Sequence, residues 1–303
     1  MNCVNAVVVI PARYASTRLP GKLILPEVKA VTGRYIIEHV YQNVKQAKHI
    51  HKVIVATDNQ LIYDIVKGFG GEAEMTSVLH TSGTDRIAEV AGHLDADVVV
   101  NVQGDEPEVS ANMVDQVIDT LVEDKETVMS TLANIIKDAT ELANPNVVKV
   151  VLDNCGYALY FSRSQIPYVR DGKDPIKVTV HPHLNIPPPP FSPSVRGTGG
   201  ETQGDNEYSP PLVGGVRGGE ELLPIKEPGV AFLKHLGIYA YRRDFLLKYS
   251  KLPASSLEDA EKLEQLRALS NGYKIKVAIT NYTSRGIDTR EDLMAFMERY
   301  KHD

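Results

Sequence analysis

Four consecutive β-branched residues, Val7-Val8-Val9-Ile10, are followed at once by Pro11 and then by a loop carrying Arg13, Arg18 and Lys22. Such an unbroken apolar run reads as a strand buried on both faces, as in parallel sheets covered by helices. Pro11 has no N–H to donate and ends the ladder. The basic loop therefore leaves the C-terminal end of a buried strand, where ligands bind in open α/β sheets. Guanidinium groups suit two-pronged contact with phosphate oxygens, and a lysine acts as a mobile point charge. Three cations on one short loop fit a polyanion, although a solvated basic loop would carry the same residues. The loop is neither GxGxxG nor a Walker sequence, which weighs against a nicotinamide dehydrogenase and a P-loop kinase.

The same grammar recurs downstream. Val53-Ile54-Val55-Ala56 reads as a second buried strand ending in Thr57-Asp58. Helical spacing precedes it over 35–47 (Ile36, Ile37, Val40, Val44), with Thr32 and Gly33 marking the start, and a helix over 61–69 closed by Gly70-Gly71 follows it. With a short strand over 72–75, the order is that of a parallel sheet with right-handed crossovers. His80-Thr-Ser-Gly-Thr-Asp-Arg86 opens a predicted helix over 87–92. Small and hydroxyl residues there offer free backbone N–H groups, and a plain N-cap at Thr84 or Asp85 accounts for them equally. Asp97-Val-Val-Val-Asn-Val-Gln-Gly-Asp-Glu-Pro107 delivers Gln103, Asp105 and Glu106 at a strand end, with Gly104 expected to let the backbone turn. Carboxylates in that place hold Mg²⁺ through one or two oxygens, or simply cap the helix that starts near Ser110.

Beyond a helix over 112–121 and a strand over 128–133, the pattern changes. Strands over 147–153 and 157–163 flank Asn154-Cys155-Gly156 and predict an antiparallel hairpin. Residues 172–229 are rich in Pro and Gly, have no periodicity, and read as a low-complexity insertion. Its His181-Pro-His183 is too small a set for a metal site. A strand over 233–242 places His235, Gly237, Tyr239 and Tyr241 opposite Leu236, Ile238 and Ala240. An amphipathic helix is expected over 257–267, with Leu257, Ala260, Leu263, Leu266 and Leu269 inward. The last strand spans 274–279. Thr289, Glu291 and Asp292 open the last helix, which leaves Asp288 over.

The 303 residues carry a net charge of −6, which argues against general nucleic-acid binding, so the basic loop is a local feature. Cys3 and Cys155 give no disulfide framework or metal spacing. With no signal-like or membrane-spanning run, a cytoplasmic location without membrane insertion is expected.

These strings resemble the sugar-nucleotide transferases. Pro11-Ala-Arg-Tyr-Ala-Ser-Thr-Arg-Leu-Pro-Gly-Lys22 and Val100-Asn-Val-Gln-Gly-Asp-Glu-Pro107 in particular are similar to the 3-deoxy-manno-octulosonate (Kdo) cytidylyltransferase family. Asn144–Asp153, Leu257–Arg267 and Gly286-Ile-Asp-Thr-Arg-Glu-Asp-Leu293 carry the likeness further. The family has Pro where Leu23 follows the loop lysine, and a shorter connection where residues 172–229 stand. The resemblance implies one nucleotidyltransferase-type, Rossmann-like α/β domain over 1–303. It would hold a mixed, mainly parallel sheet with helices on both faces and a small antiparallel hairpin subdomain used for dimerisation. Pro11, Ala12, Arg13, Arg18, Lys22, Ser82, Gly83, Thr84 and Gln103 would bind the nucleotide, with Arg13, Lys22 and Asp105 catalytic. Arg163, His235, Tyr239, Glu264 and Gln265 would bind the sugar acid, and Asp105 and Asp288 would hold Mg²⁺. The implied reaction joins CTP and Kdo into CMP-Kdo and diphosphate for lipopolysaccharide biosynthesis, in a homodimer. A transferase for another sugar acid, such as a sialic acid, and a silent nucleotide-binding scaffold are the alternatives.

Overall fold

The computed structural model describes residues 4–15, 19–170 and 232–301; Arg18 and the stretch 172–229 lie outside the described residues. The first apolar run is β1 (Ala6–Ala12), and its side chains alternate between two cores. Val7 and Val9 enter one, Val8 and Ile10 the other. This two-sided burial is what a strand between two helical layers requires. The other strands are β2 (Ile50–Thr57), β3 (Ala73–Met75), β4 (Val98–Asn101), β5 (Met129–Ile135), β6 (Lys149–Leu152), β7 (Ala158–Ser162), β8 (Leu233–Arg242) and β9 (Ile275–Ile279). They form one sheet in the order β3-β2-β1-β4-β8-β5-β9, with β6 joined to β7 and to the start of β8. Parallel pairing runs from β3 to β4 and again between β5 and β9, while β8 lies antiparallel to both β4 and β5.

The helices are α1 (Pro26–Thr32), α2 (Ile36–Val44), α3 (Gln60–Gly68), α4 (Gly83–Ala91), α5 (Ala111–Glu123), α6 (Ala139–Ala143), α7 (Arg243–Tyr249), α8 (Ser256–Glu261), α9 (Leu266–Ser270) and α10 (Arg290–Tyr300). Val40 of α2, Val117 of α5 and Phe296 of α10 fill the core on one face. Ile87 of α4, Leu246 of α7 and Leu266 of α9 fill the other. The expected architecture, a mixed sheet with helices on both faces, is the one observed.

Four local expectations are corrected. Gly33 does not open α2; at φ +77° it closes α1, its N–H bonding the Lys29 carbonyl at 2.9 Å. The β6–β7 hairpin forms, but β6 also pairs with β8, so it is an extension of the main sheet. The expected helix over 257–267 is broken at Lys262, which takes a left-handed φ of +52°. Leu257 and Ala260 stay exposed while Leu263 and Leu266 are buried, because the break turns the second half toward the core. Arg267 spans the break with two bonds to Glu258, at 2.9 and 2.5 Å. Finally, the face of β8 expected to be polar is buried: Tyr239 and Tyr241 join the second core. A bulge at Gly237-Ile238 reorganises the alternation, since Thr131 pairs with Tyr239 but Leu132 with Leu236.

His39 of α2 is 3% exposed and fastens α10 to α1. Its Nε2 lies 2.8 Å from the Thr32 hydroxyl and its Nδ1 3.5 Å from the Tyr300 hydroxyl, with the ring edge-on to Phe296. Burial, helped by the nearby Arg34 charge, pushes its pKa from 6.5 down to about 4. In the unfolded chain the imidazole takes up its proton below about 6.5, whereas the folded one waits until near 4. Between those values the unfolded state binds more protons, so stability is lost as the pH falls. The whole depression is worth on the order of 3 kcal/mol. Urea unfolding at pH 6.5 and 4.5 is expected to show this loss in the wild type and a clearly smaller one in His39→Asn. Equal losses in both proteins would assign it to other groups.

Candidate active site

The ends of β1 and β4 and the segment before α10 meet around one lysine. After β1 the chain turns through Gly21, whose φ of +67° favours glycine and whose Cβ position would lie 3.2 Å from the Tyr14 ring. The following 3-10 turn, Lys22–Ile24, buries Lys22. The Lys22 Nζ donates to Asp105 Oδ2 at 2.6 Å, to Asp288 Oδ1 at 3.1 Å and to the Ile287 carbonyl at 2.6 Å. Burial alone would lower the ammonium pKa, but Asp105 and Asp288 outweigh it and hold the pKa above its ordinary value. Lys22 is thus a fixed brace between two carboxylates, where the sequence suggested a cation on a phosphate loop. Asp105 and Asp288 do come together, and a backbone bond from Ile287 N–H to the Asp105 carbonyl at 2.9 Å locks their loops.

Gly104 serves this junction by close approach. A Cβ there would lie 3.0 Å from the Pro11 carbonyl and 3.3 Å from Ile37, so the expected turning role gives way to a steric one. Glu106 sits just behind. Its Oε2 accepts the Ser284 hydroxyl at 2.7 Å, and its Oε1 lies 3.0 Å from where a Cβ on Gly237 would stand. Burial pushes the Glu106 pKa up to about 7 against the pull of the Ser284 bond, and Asp105 and Asp288 add to the rise.

On the other side of Gly237 opens a cavity of about 280 Å³, walled by the start of α4, by β8 and by the turn between α8 and α9. Gly83, Thr84 and Gln103, expected to serve the nucleotide, line it together with His235, Tyr239, Glu264 and Gln265, expected to serve the sugar acid. The two groups share one space. Ser82 is the N-cap of α4, accepting the Asp85 N–H at 3.0 Å, so the helix starts earlier than the sequence suggested and neither Thr84 nor Asp85 caps it. The Thr84 hydroxyl donates to Glu264 Oε2 at 2.7 Å, and the Tyr241 hydroxyl bonds Thr84 and Asn101. Burial raises the Glu264 pKa against the opposing pull of Thr84, Arg267 and Ser82. Its Oε1 is buried with no hydrogen-bond partner among the described residues. Burial also pushes His235 down to about 3, so its imidazole is neutral.

Not every expected residue reaches this space. Pro11 does not end the strand as expected: it and Ala12 continue β1 beside Ala56 and Thr57 of β2, with Pro11 packed 3.4 Å from the Cβ position of Gly83. Arg13 is exposed and donates to the Thr81 carbonyl at 3.1 Å, tying the first loop to the segment before α4. Arg163 does not line the cavity. Its Nε donates to the Glu261 carbonyl at 2.7 Å and its Nη1 to the Pro145 carbonyl at 3.1 Å, because β7 ends beside α8 and backbone oxygens take the guanidinium.

The sequence matches the cytidylyltransferase family over residues 7–275. A 3-deoxy-manno-octulosonate cytidylyltransferase of Geotalea uraniireducens (strain Rf4) is 43% identical, with the match covering 97% of this chain and 98% of the relative. One of Geobacter sulfurreducens is 40% identical over 98% of this chain and all of its own length (100%). The chain belongs to the 3-deoxy-manno-octulosonate cytidylyltransferase family. A solved CMP:2-keto-3-deoxy-manno-octonic acid synthetase complexed with CTP superposes on this cytidylyltransferase with a TM-score of 0.75 at 35% identity, covering 98% of this chain and 99% of the other. A cytidylyltransferase from Leptospira borgpetersenii, 15% identical with a TM-score of 0.53, shares the fold.

Some contacts at the site were not legible in the sequence. Glu106, read there as a strand-end carboxylate, forms with Ser284 a strut that only the three-dimensional junction reveals, since 178 positions separate them. Asn101 and Tyr241 were legible as strand residues, but nothing in their spacing indicates that they meet at Thr84. As for a metal, two carboxylates at one point, with the Asp288 side chain 49% exposed, are hard oxygen donors open to solvent. Mg²⁺ takes one or two such carboxylates and completes its shell with water and substrate phosphates. Among the described residues no group of three or more His, Cys, Asp or Glu side chains is placed to hold a metal ion. The donor set fits Mg²⁺.

Proposed function

We propose that this protein transfers CMP from CTP to the anomeric hydroxyl of Kdo, with the junction of Lys22, Asp105 and Asp288 as its reaction centre and the adjoining cavity as its substrate pocket. The observation that carries this reading is the convergence of two distant carboxylates on one buried ammonium at the C-terminal end of the parallel strands. In the reaction the anomeric oxygen bonds to the α-phosphorus, the bond from that phosphorus to diphosphate breaks, and the hydroxyl proton passes to solvent. Asp105 and Asp288 would hold Mg²⁺, whose chemistry there is that of a Lewis acid polarising the α-phosphate and favouring the ionised hydroxyl. Lys22 keeps the two carboxylates at one spacing, so no reorganisation is needed as charge develops. Arg13, with Arg18 from the same loop, would neutralise the departing diphosphate. Thr84, Gln103, His235, Tyr239, Glu264 and Gln265 orient the substrates, and positioning supplies much of the rate in reactions of this kind. No covalent nucleophile is required.

The reading has the protein acting in the cytoplasm as a homodimer in lipopolysaccharide biosynthesis, on two small molecules and on no nucleic acid. Among the described residues no helix is long and apolar enough to cross a membrane. The deciding experiment is diphosphate release from the purified protein with Mg²⁺, each of the four nucleoside triphosphates, and Kdo or sialic acid. Release is expected only with CTP and Kdo. Release with sialic acid instead would move the substrate, and none from folded, CTP-binding protein would overturn the reading. Sedimentation of the same sample tests the homodimer.

A further inference from the structure

The β8 bulge is held by a single buried hydroxyl. Thr131 Oγ1 lies 2.7 Å from the Ile238 carbonyl, 3.1 Å from the Leu236 carbonyl and 3.1 Å from His235 Nε2. A hydroxyl has one proton to give, and a carbonyl can only accept. Were that proton given to the imidazole, the bare oxygen would face two carbonyl oxygens within 3.1 Å, a repulsive arrangement in a buried setting. The proton therefore goes to the carbonyls, with Ile238 the nearer, and the oxygen must accept from His235. Consequently Nε2 carries the hydrogen. The other nitrogen, Nδ1, has no hydrogen-bond partner among the described residues, and the ring lines the cavity beside Tyr239 and Glu264.

We propose that Thr131 is a positioning residue for substrate recognition, fixing His235 as its Nε2–H tautomer so that Nδ1 presents a hydrogen-bond acceptor to the cavity. Glu264 lines the same pocket, with its Oε2 held by the Thr84 hydroxyl. No Lys or Arg lines it among the described residues. The ligand group that fits beside Nδ1 is an uncharged hydrogen-bond donor such as a hydroxyl, and a carboxylate does not belong at that end. This rests on the proposed reaction only for the identity of the ligand; the tautomer stands on the geometry alone.

The test uses the full-length protein with ¹⁵N-labelled histidine and long-range ¹H–¹⁵N spectra, in which the two neutral tautomers give different cross-peak patterns. His235→Asn assigns the signals among the nine histidines. The wild type is expected to show His235 with hydrogen on Nε2 and a bare Nδ1 whose resonance moves when the sugar acid is added. Thr131→Val should mix the tautomers and raise KM for the sugar acid about ten-fold, the scale of one hydrogen bond, with kcat and KM for CTP nearly unchanged. Thr131→Ser should restore both. A wild-type His235 protonated on Nδ1 overturns the proposal, as does a Thr131→Val protein that keeps the wild-type tautomer and KM. Because the wild-type spectrum needs no variant and no turnover, a misfolded Thr131→Val leaves the question decidable. A correct tautomer in a protein that does not convert CTP and Kdo would count against the reaction instead.

Discussion

Asp105→Asn is expected to lower kcat on the order of 10³-fold while leaving the protein folded. The amide keeps the shape of the carboxylate but removes its charge. Lys22 would retain Asp288 and the Ile287 carbonyl, so the ammonium is not stranded, and the Ile287 N–H bond to the residue 105 backbone is untouched. The loss should therefore fall on chemistry, with CTP binding changed little and the thermal midpoint within a few degrees of the wild type. Lys22→Met makes the complementary case. Two carboxylates left together without the ammonium repel, and a bound cation would relieve that repulsion. That variant should be less stable in the absence of Mg²⁺ and regain stability as Mg²⁺ is added, by the ordinary linkage between binding and folding. Single-turnover kinetics and thermal unfolding of both variants provide the check. An Asp105→Asn enzyme keeping a tenth or more of its turnover would remove this carboxylate from the reaction.

The largest effect on stability is expected away from the reaction centre, at Asp58. Arg86 of α4 is fully buried, at 0% exposure. Its Nη2 donates to Asp58 Oδ2 at 2.6 Å, its Nη1 bonds the Thr76 hydroxyl, and its Nε has no partner among the described residues. A guanidinium cannot shed its proton to escape burial. Asp58→Ala thus strands a cation in the interior and should cost about 3–5 kcal/mol. Arg86→Met should cost less, because Asp58 keeps 20% of its side-chain surface in contact with solvent and can rehydrate. Urea melts of the two variants measure the asymmetry, and the reverse order would show that the guanidinium matters through packing and not through charge. Because α4 begins at the cavity wall, the same pair holds the N-terminus of that helix against the ends of β2 and β3.

Much of the fold was legible because burial on both faces leaves a one-letter signature. Val7–Ile10, Val53–Ala56 and Val98–Val100 could be strands of a covered sheet and little else, and each proved to be one. The polar residues closing those runs pointed to the right edge of the sheet. Asp105 and Asp288 do meet at Lys22, although only the resemblance, and no local pattern, joined them. What escaped was whatever depends on a third partner. The spacing of Leu257, Ala260, Leu263 and Leu266 is as compatible with a broken helix as with a continuous one, and the left-handed Lys262 carries no glycine to announce it. Arg163 was read by its chemical type, which suits a carboxylate, but the oxygens nearest to it in space are those of the backbone. The β8 bulge is silent in sequence for a similar reason. An alternating pattern cannot reveal that the neighbouring strand is two residues out of step.

The place of β8 bears on how the protein is made. β4 and β5 follow one another in the chain yet do not pair; each pairs with β8, which lies between them in the sheet. As the polypeptide leaves the ribosome, the β3-β2-β1-β4 unit can form early, from contacts close in sequence. Its β4 edge then remains an open row of amide and carbonyl groups until residues 233–242 have been translated, which is the interval in which such edges recruit strands from other chains. Every residue in the connection from β7 to β8 lengthens that interval. The 172–229 stretch therefore exposes the nascent chain to mispairing for longer, and the yield of folded protein at high expression should be more sensitive to chaperone supply than the stability of the finished enzyme would suggest.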